Sequence, residues 1–164
     1  MTSEIVMNLS PIGLPARAQE LVDAGLARVK SIDWFDFVPS DYQVVYTLLA
    51  ALERGRFCEW GSGIGIVTGL AEMLGYAAPV GLEIHEPLVT ASNEIYARFG
   101  LKARAEVGDY FERSDVADLY FTYCWPGVVE RTQERFLTIA PPGARLIVYY
   151  GPADVRWTAK LPSD

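Results

Sequence analysis

The spacing of apolar residues changes character near Gly55. Before that point it is helical. Leu14, Ala18, Leu21, Val22, Leu26 and Val29 recur at three- and four-residue intervals across residues 14–30, with basic residues toward the end, and predict a helix interrupted or weakened at Gly25. Pro39 discourages helical geometry at Val38, so the aromatic and acidic stretch SIDWFDFVPSD reads as a loop. Ser40 and Gln43 have the spacing of a capping box, and Val44, Val45, Leu48, Leu49 and Leu52 then supply the apolar face of a second helix.

Beyond Gly55, short apolar runs alternate with longer helical ones. RFCEWG, APVGLEI, KARAEVGD, ADLYFTYCW and ARLIVYYG read as strands; GIVTGLAEMLG, PLVTASNEIYARFG and VVERTQERFLTIA read as helices. This order predicts a doubly wound α/β fold, a mostly parallel sheet of about five strands with helices on both faces. Its ligand crevice is expected beyond the carboxyl ends of the strands. Only Pro152 to Asp164 follow the fifth strand, so the sheet is expected to be truncated there.

Length and composition bound the function. A chain of 164 residues with 51% hydrophobic and 21% charged side chains fits one domain over 1–164, in which 1–40 form a helical and loop extension. A formal net charge of −7 argues against general nucleic-acid binding, which draws on Lys and Arg at phosphates. No leader pattern and no apolar run of ~18 residues is present, so a soluble cytoplasmic protein without a membrane partner is expected. Cys58 and Cys124 lack metal-ligand spacing and His85 is the sole histidine, so no metal site is expected; both cysteines are read as buried side chains.

The most informative segment is Glu59-Trp60-Gly61-Ser62-Gly63-Ile64-Gly65, between a predicted strand and helix. Glycines at alternate positions let the backbone turn sharply and approach a ligand closely. A dinucleotide fingerprint wants G-x-G-x-x-G, and Ile66 stands where its third glycine belongs; Gly65 gives G-x-G-x-G instead. Glu83 closes the next strand at about the 20-residue interval where a carboxylate accepts hydrogen bonds from ribose hydroxyls. Asp109, after the third strand, offers an acceptor for an adenine amino group, or else caps the following segment; Ile84 and Tyr110 offer surfaces for the ring.

On these residues the chain resembles class I S-adenosylmethionine-dependent methyltransferases. The resemblance spans roughly residues 37 to 151 and implies S-adenosylmethionine as cofactor, held by Glu59, Trp60, Gly61, Ser62, Gly63, Gly65, Glu83, Ile84, Asp109 and Tyr110. It also implies an acceptor site beside Cys124-Trp125-Pro126, where several amino-group methyltransferases carry an N/D-P-P-Y motif; here Asn and Asp are absent. Phe37, before Val38-Pro39-Ser40, resembles the loop that some small lysine methyltransferases lay over the cofactor, while Trp34, Phe35 and Phe37 read equally as core or interface aromatics. His85 reads as a surface or capping residue, or else as a base or a contact to adenine. No residue stands out as a general base.

The expected activity is methyl transfer to an acceptor that the sequence does not identify, a protein side chain or a small molecule. The alternative is a cofactor-binding module without chemistry of its own that completes or regulates a partner. An apolar fifth strand followed by so short a tail also predicts a homodimer through that edge, unless DVRWTAKL folds back as a covering strand.

Overall fold

The computed structural model describes residues 5–32 and 37–162. Trp34 and Phe35 lie outside the described residues. Along the chain come strand β1 (Ile5–Met7), helices α1 (Ala16–Ile32) and α2 (Tyr42–Ala51), β2 (Arg56–Trp60), α3 (Ile66–Met73), β3 (Ala77–Glu83), α4 (Glu86–Phe99) and β4 (Arg104–Val107). These are followed by β5 (Leu119–Tyr123), a single 3-10 turn (Pro126–Val128), α5 (Val129–Ile139), β6 (Arg145–Gly151) and β7 (Asp154–Ala159). The strands form one sheet in the order β1-β7-β6-β5-β2-β3-β4.

The five strands expected from their apolar runs, β2 to β6, all run parallel to one another. Alternation within them divides the core. Phe57, Leu119, Phe121, Ile147 and Tyr149 point to the face packed by α1 to α4. Cys58, Trp60, Tyr120, Leu146 and Val148 point to the other, where Phe136 of α5 closes the layer. Because the side-chain period of a strand is two, each strand presents one apolar set to each helical layer. Both cysteines are buried, as expected.

The expected truncation does not hold. Asp154–Ala159 pairs antiparallel with β6, and Ile5–Met7 pairs antiparallel with β7. The DVRWTAKL tail thus becomes the covering strand, and the N-terminal extension supplies the edge beyond it. Two local expectations are also corrected. Asp41, rather than Ser40, caps α2: its carboxylate accepts from the backbone N–H of Gln43 at 3.1 Å and of Val44 at 3.2 Å. Helix α1 runs through Gly25 unbroken, because a side chain there would meet Ile66: a Cβ would lie 2.5 Å from Ile66 Cγ1. Gly25 therefore serves the approach of α1 to the start of α3 and does not end the helix.

Candidate functional site

Strand order reverses around β2, whose neighbours are β3 on one side and β5 on the other. Loops leaving such strands diverge to opposite faces and leave a crevice at their carboxyl ends. A cavity of about 670 Å³ occupies that position. Its floor is the glycine turn after β2. Gly61, Gly63 and Gly65 have φ of 70°, 54° and 72°, in the left-handed region that disfavours side chains. The turn is fixed from β3, since the N–H groups of Gly61 and Ser62 both donate to the Leu82 carbonyl at 2.9 Å. It is fixed also from α4: the Tyr96 hydroxyl donates to the Gly65 carbonyl at 2.6 Å.

Two buried carboxylates brace the turn. Glu83 accepts from Gly63 N–H at 2.9 Å through Oε2 and from His85 N–H at 3.0 Å through Oε1. A carboxylate oxygen has two lone pairs, so each retains acceptor capacity toward the cavity. Glu59 Oε2 accepts from both the N–H (2.9 Å) and the hydroxyl (2.6 Å) of Thr68, which ties β2 to α3. Burial pushes the Glu59 carboxyl up to about 8, against the pull of the Thr68 bonds and with a further push from Glu83. Ser62 has its Oγ buried without a hydrogen-bond partner, close to Gly81 and Thr68.

Asp109 and Tyr110 border the cavity from the loop after β4. One Asp109 oxygen accepts from Phe111 N–H at 2.8 Å, which closes a turn, so the capping role weighed for this residue is present in the structure. Trp60 is fully buried and stacks on Tyr110, with ring centroids 4.9 Å apart and planes 5° off parallel. The other neighbour of Tyr110 is Phe111, at 4.3 Å. Ile84, 60% exposed, is the side chain with free apolar surface at this end.

The opposite wall comes from the end of β5 and the turn into α5. Cys124 is buried, its thiol 3.6 Å from the Thr132 hydroxyl, and burial pushes its ionisation up. Trp125 is 60% exposed at the rim and Pro126 begins the 3-10 turn. Phe37 leans over the glycine turn: a Cβ on Gly63 would lie 3.1 Å from its ring. His85 occupies the cap position of α4 without a side-chain cap bond, its Nε2 3.9 Å from Glu83.

No family model matches the chain, and no curated protein matches it in sequence. Solved structures do match. An RNA methyltransferase from Salinibacter ruber in complex with S-adenosyl-L-homocysteine aligns over 77% of this chain and 95% of its own, at TM-score 0.64 and 23% identity. A methyltransferase from Geobacter sulfurreducens aligns over 91% of each chain at TM-score 0.69 and 16% identity. The O-methyltransferase TomG from Streptomyces achromogenes, in complex with SAM, aligns over 93% and 92% at TM-score 0.66 and 12% identity.

The fold is the methyltransferase fold. Within it, the structure gathers Glu59, Trp60, Gly61, Ser62, Gly63, Glu83, Ile84, Asp109, Tyr110, Phe37, Cys124 and Trp125 around one cavity. Gly65 and Pro126 stand one step behind it, in the turns that shape its floor and rim. Sequence reasoning missed Tyr42 and Arg131, which also line it. Tyr42 opens α2 directly after its cap, a position legible once Asp41 is recognised as that cap. Arg131 sits among the alternating charges of α5, which read as a solvated helix face.

Proposed function

We propose that this chain binds S-adenosylmethionine in the cavity and acts as a methyltransferase, with a cytoplasmic setting supported by its two free thiols. One observation carries the reading: the Glu83 carboxylate and the left-handed glycine turn are held together at the carboxyl ends of adjacent strands, linked by the Gly63–Glu83 hydrogen bond. Their chemistry fits the cofactor. A Cβ built on Gly61 meets nothing within 4 Å, so the turn offers open backbone to a ligand. Glu83 has lone pairs for ribose hydroxyls, and Asp109 with Ile84 offers an acceptor and an apolar surface to adenine. The resemblance to class I methyltransferases implies that these positions hold the cofactor.

When bound, S-adenosylmethionine supplies an electrophilic methyl group on a sulfonium. The chain's own part is to hold and to shield. Phe37 and Trp125 flank the cavity and exclude water, and the glycine turn fixes orientation, from which much of the barrier reduction in such a reaction comes. Burial pushes the Tyr42 hydroxyl and the Cys124 thiol up, so both hold their protons and neither serves as a base at neutral pH. An acceptor that is nucleophilic without proton removal by the chain suits this lining.

Calorimetry with S-adenosylmethionine and S-adenosylhomocysteine tests the reading, and saturable binding at one site per chain is the expected result. Absence of heat at millimolar ligand, from protein shown to be folded, overturns it. Binding without transfer of labelled methyl across an acceptor screen points instead to the partner-completing module.

A further inference from the structure

At the mouth of the cavity, three aromatic rings and a guanidinium form a continuous ladder. Trp60 stacks on Tyr110, the Phe111 ring lies tilted by 36° against Tyr110, and the Arg131 guanidinium lies 3.7 Å from the Phe111 ring centroid. The ladder starts in the core, where Trp60 is 1% exposed, and ends at solvent. Arg131 is otherwise uncommitted: among the described residues it makes no ion pair and no hydrogen bond. An arginine held over a ring by a cation–π contact has less rotamer freedom to lose when its N–H donors meet a ligand.

Trp125 lines the same cavity. The Val128 N–H donates to the Trp125 carbonyl at 3.0 Å and closes the 3-10 turn from which α5 begins, so one short turn carries both the exposed indole and Arg131 to the same cavity. The carboxylates that face it across the lining are Glu83 and Asp109, since burial keeps Glu59 protonated. A polyanion therefore meets net repulsion there, whereas a single negative charge matches the single unpaired arginine. A planar apolar body fits the exposed indole.

Resting on the methyltransferase reading above, we propose that the acceptor is a small aromatic carboxylic acid, its ring against Trp125 and its carboxylate on Arg131. A carboxylate oxygen forms the O–CH3 bond as the sulfonium S–CH3 bond breaks, S-adenosylhomocysteine is the leaving group, and no proton has to be removed. Arg131 and Trp125 are then specificity-determining residues of the acceptor site. The charge-assisted, two-pronged geometry of an arginine–carboxylate pair distinguishes an acid from its neutral amide.

The test uses 4-hydroxybenzoate, 4-hydroxybenzamide and phenyl phosphate as probes, followed by calorimetry and by quenching of tryptophan fluorescence, with and without saturating S-adenosylhomocysteine. The acid is expected to bind about tenfold or more tightly than the amide, the scale of a charged hydrogen-bonded contact. Arg131→Gln should erase that preference and Arg131→Lys should keep part of it. Trp125→Ala should weaken acid and amide alike. S-adenosylhomocysteine affinity, measured on the same samples, should be unchanged in Arg131→Gln. Equal binding of acid and amide, no probe binding, or tighter binding of phenyl phosphate overturns the proposal. So does loss of S-adenosylhomocysteine binding in Arg131→Gln, which assigns the arginine to the cofactor. Failure of wild-type protein to bind S-adenosylhomocysteine, by contrast, overturns the cofactor reading while the probe preference still reports on Arg131.

Discussion

Single side chains at the carboxyl edge of the sheet perform two tasks at once, and their substitution separates them. Glu83 braces Gly63 and faces the cavity, so Glu83→Ala is expected to weaken S-adenosylhomocysteine binding by about 1–3 kcal/mol in calorimetry, the scale of lost hydrogen bonds to a charged group. Unchanged affinity would assign Glu83 to bracing alone. Gly63→Val should abolish that binding for a different reason: its φ of 54° strains any side chain, and the new atoms crowd Phe37. Glu59 governs pH dependence. Its carboxyl, raised from 4.5 to about 8, stays protonated in the folded chain where the unfolded chain has released the proton. The stability it contributes is therefore full below about pH 4.5 and declines as pH rises toward about 8. Urea unfolding of wild type should show this decline, and Glu59→Gln, which cannot ionise, should flatten it. A wild-type profile that rises with pH across the same window, relative to Glu59→Gln, would refute the protonated buried carboxyl.

At the scale of elements, legibility in the sequence followed burial. Strands β2, β3, β5 and β6 and helices α2 to α5 were evident because each has an apolar face long enough to show a period, and β4 because it lies between two turn signals. Strand β1 was not, since three residues cannot display an alternation. Its place depends on β7, which alternates weakly, with two of six positions buried. The same reasoning covers the site. The glycine turn, Glu83 and Asp109 show themselves by residue type at fixed intervals, while Arg131 acquires its place only through Phe111, 20 positions earlier in the chain. Gly25 is the instructive error: propensity reads a helix interior glycine as a weakness, whereas packing of α1 on Ile66 requires it. Gly25→Val should then lower unfolding free energy by about 1–3 kcal/mol, the cost of overpacking a core contact. Urea denaturation giving equal or higher stability would show that α1 and α3 have room between them.

For the whole molecule, the covering of β6 changes what the surface can do. Leu146, Ile147, Val148 and Tyr149 are each 2% exposed or less, sealed by helices on both faces and by backbone pairing to β7. The expectation of self-association rests on an open edge at this strand, and β7 closes that edge. The two real edges carry their own protection. At one end β1, among the described residues, offers three residues of unpaired backbone; at the other, β4 bears Arg104 and Glu106, paired with each other at 3.3 Å, with Arg113 also bonded to Glu106. Short or charged edges resist strand addition. A net charge of −7 adds long-range repulsion between copies. Light scattering at micromolar concentration is therefore expected to give the mass of one chain, at low and at moderate salt alike. A dimer that strengthens with salt would mean that charge, rather than the covered sheet, keeps copies apart; a dimer at both salts would locate an interface away from the β6 edge and return self-association to the chain by another surface.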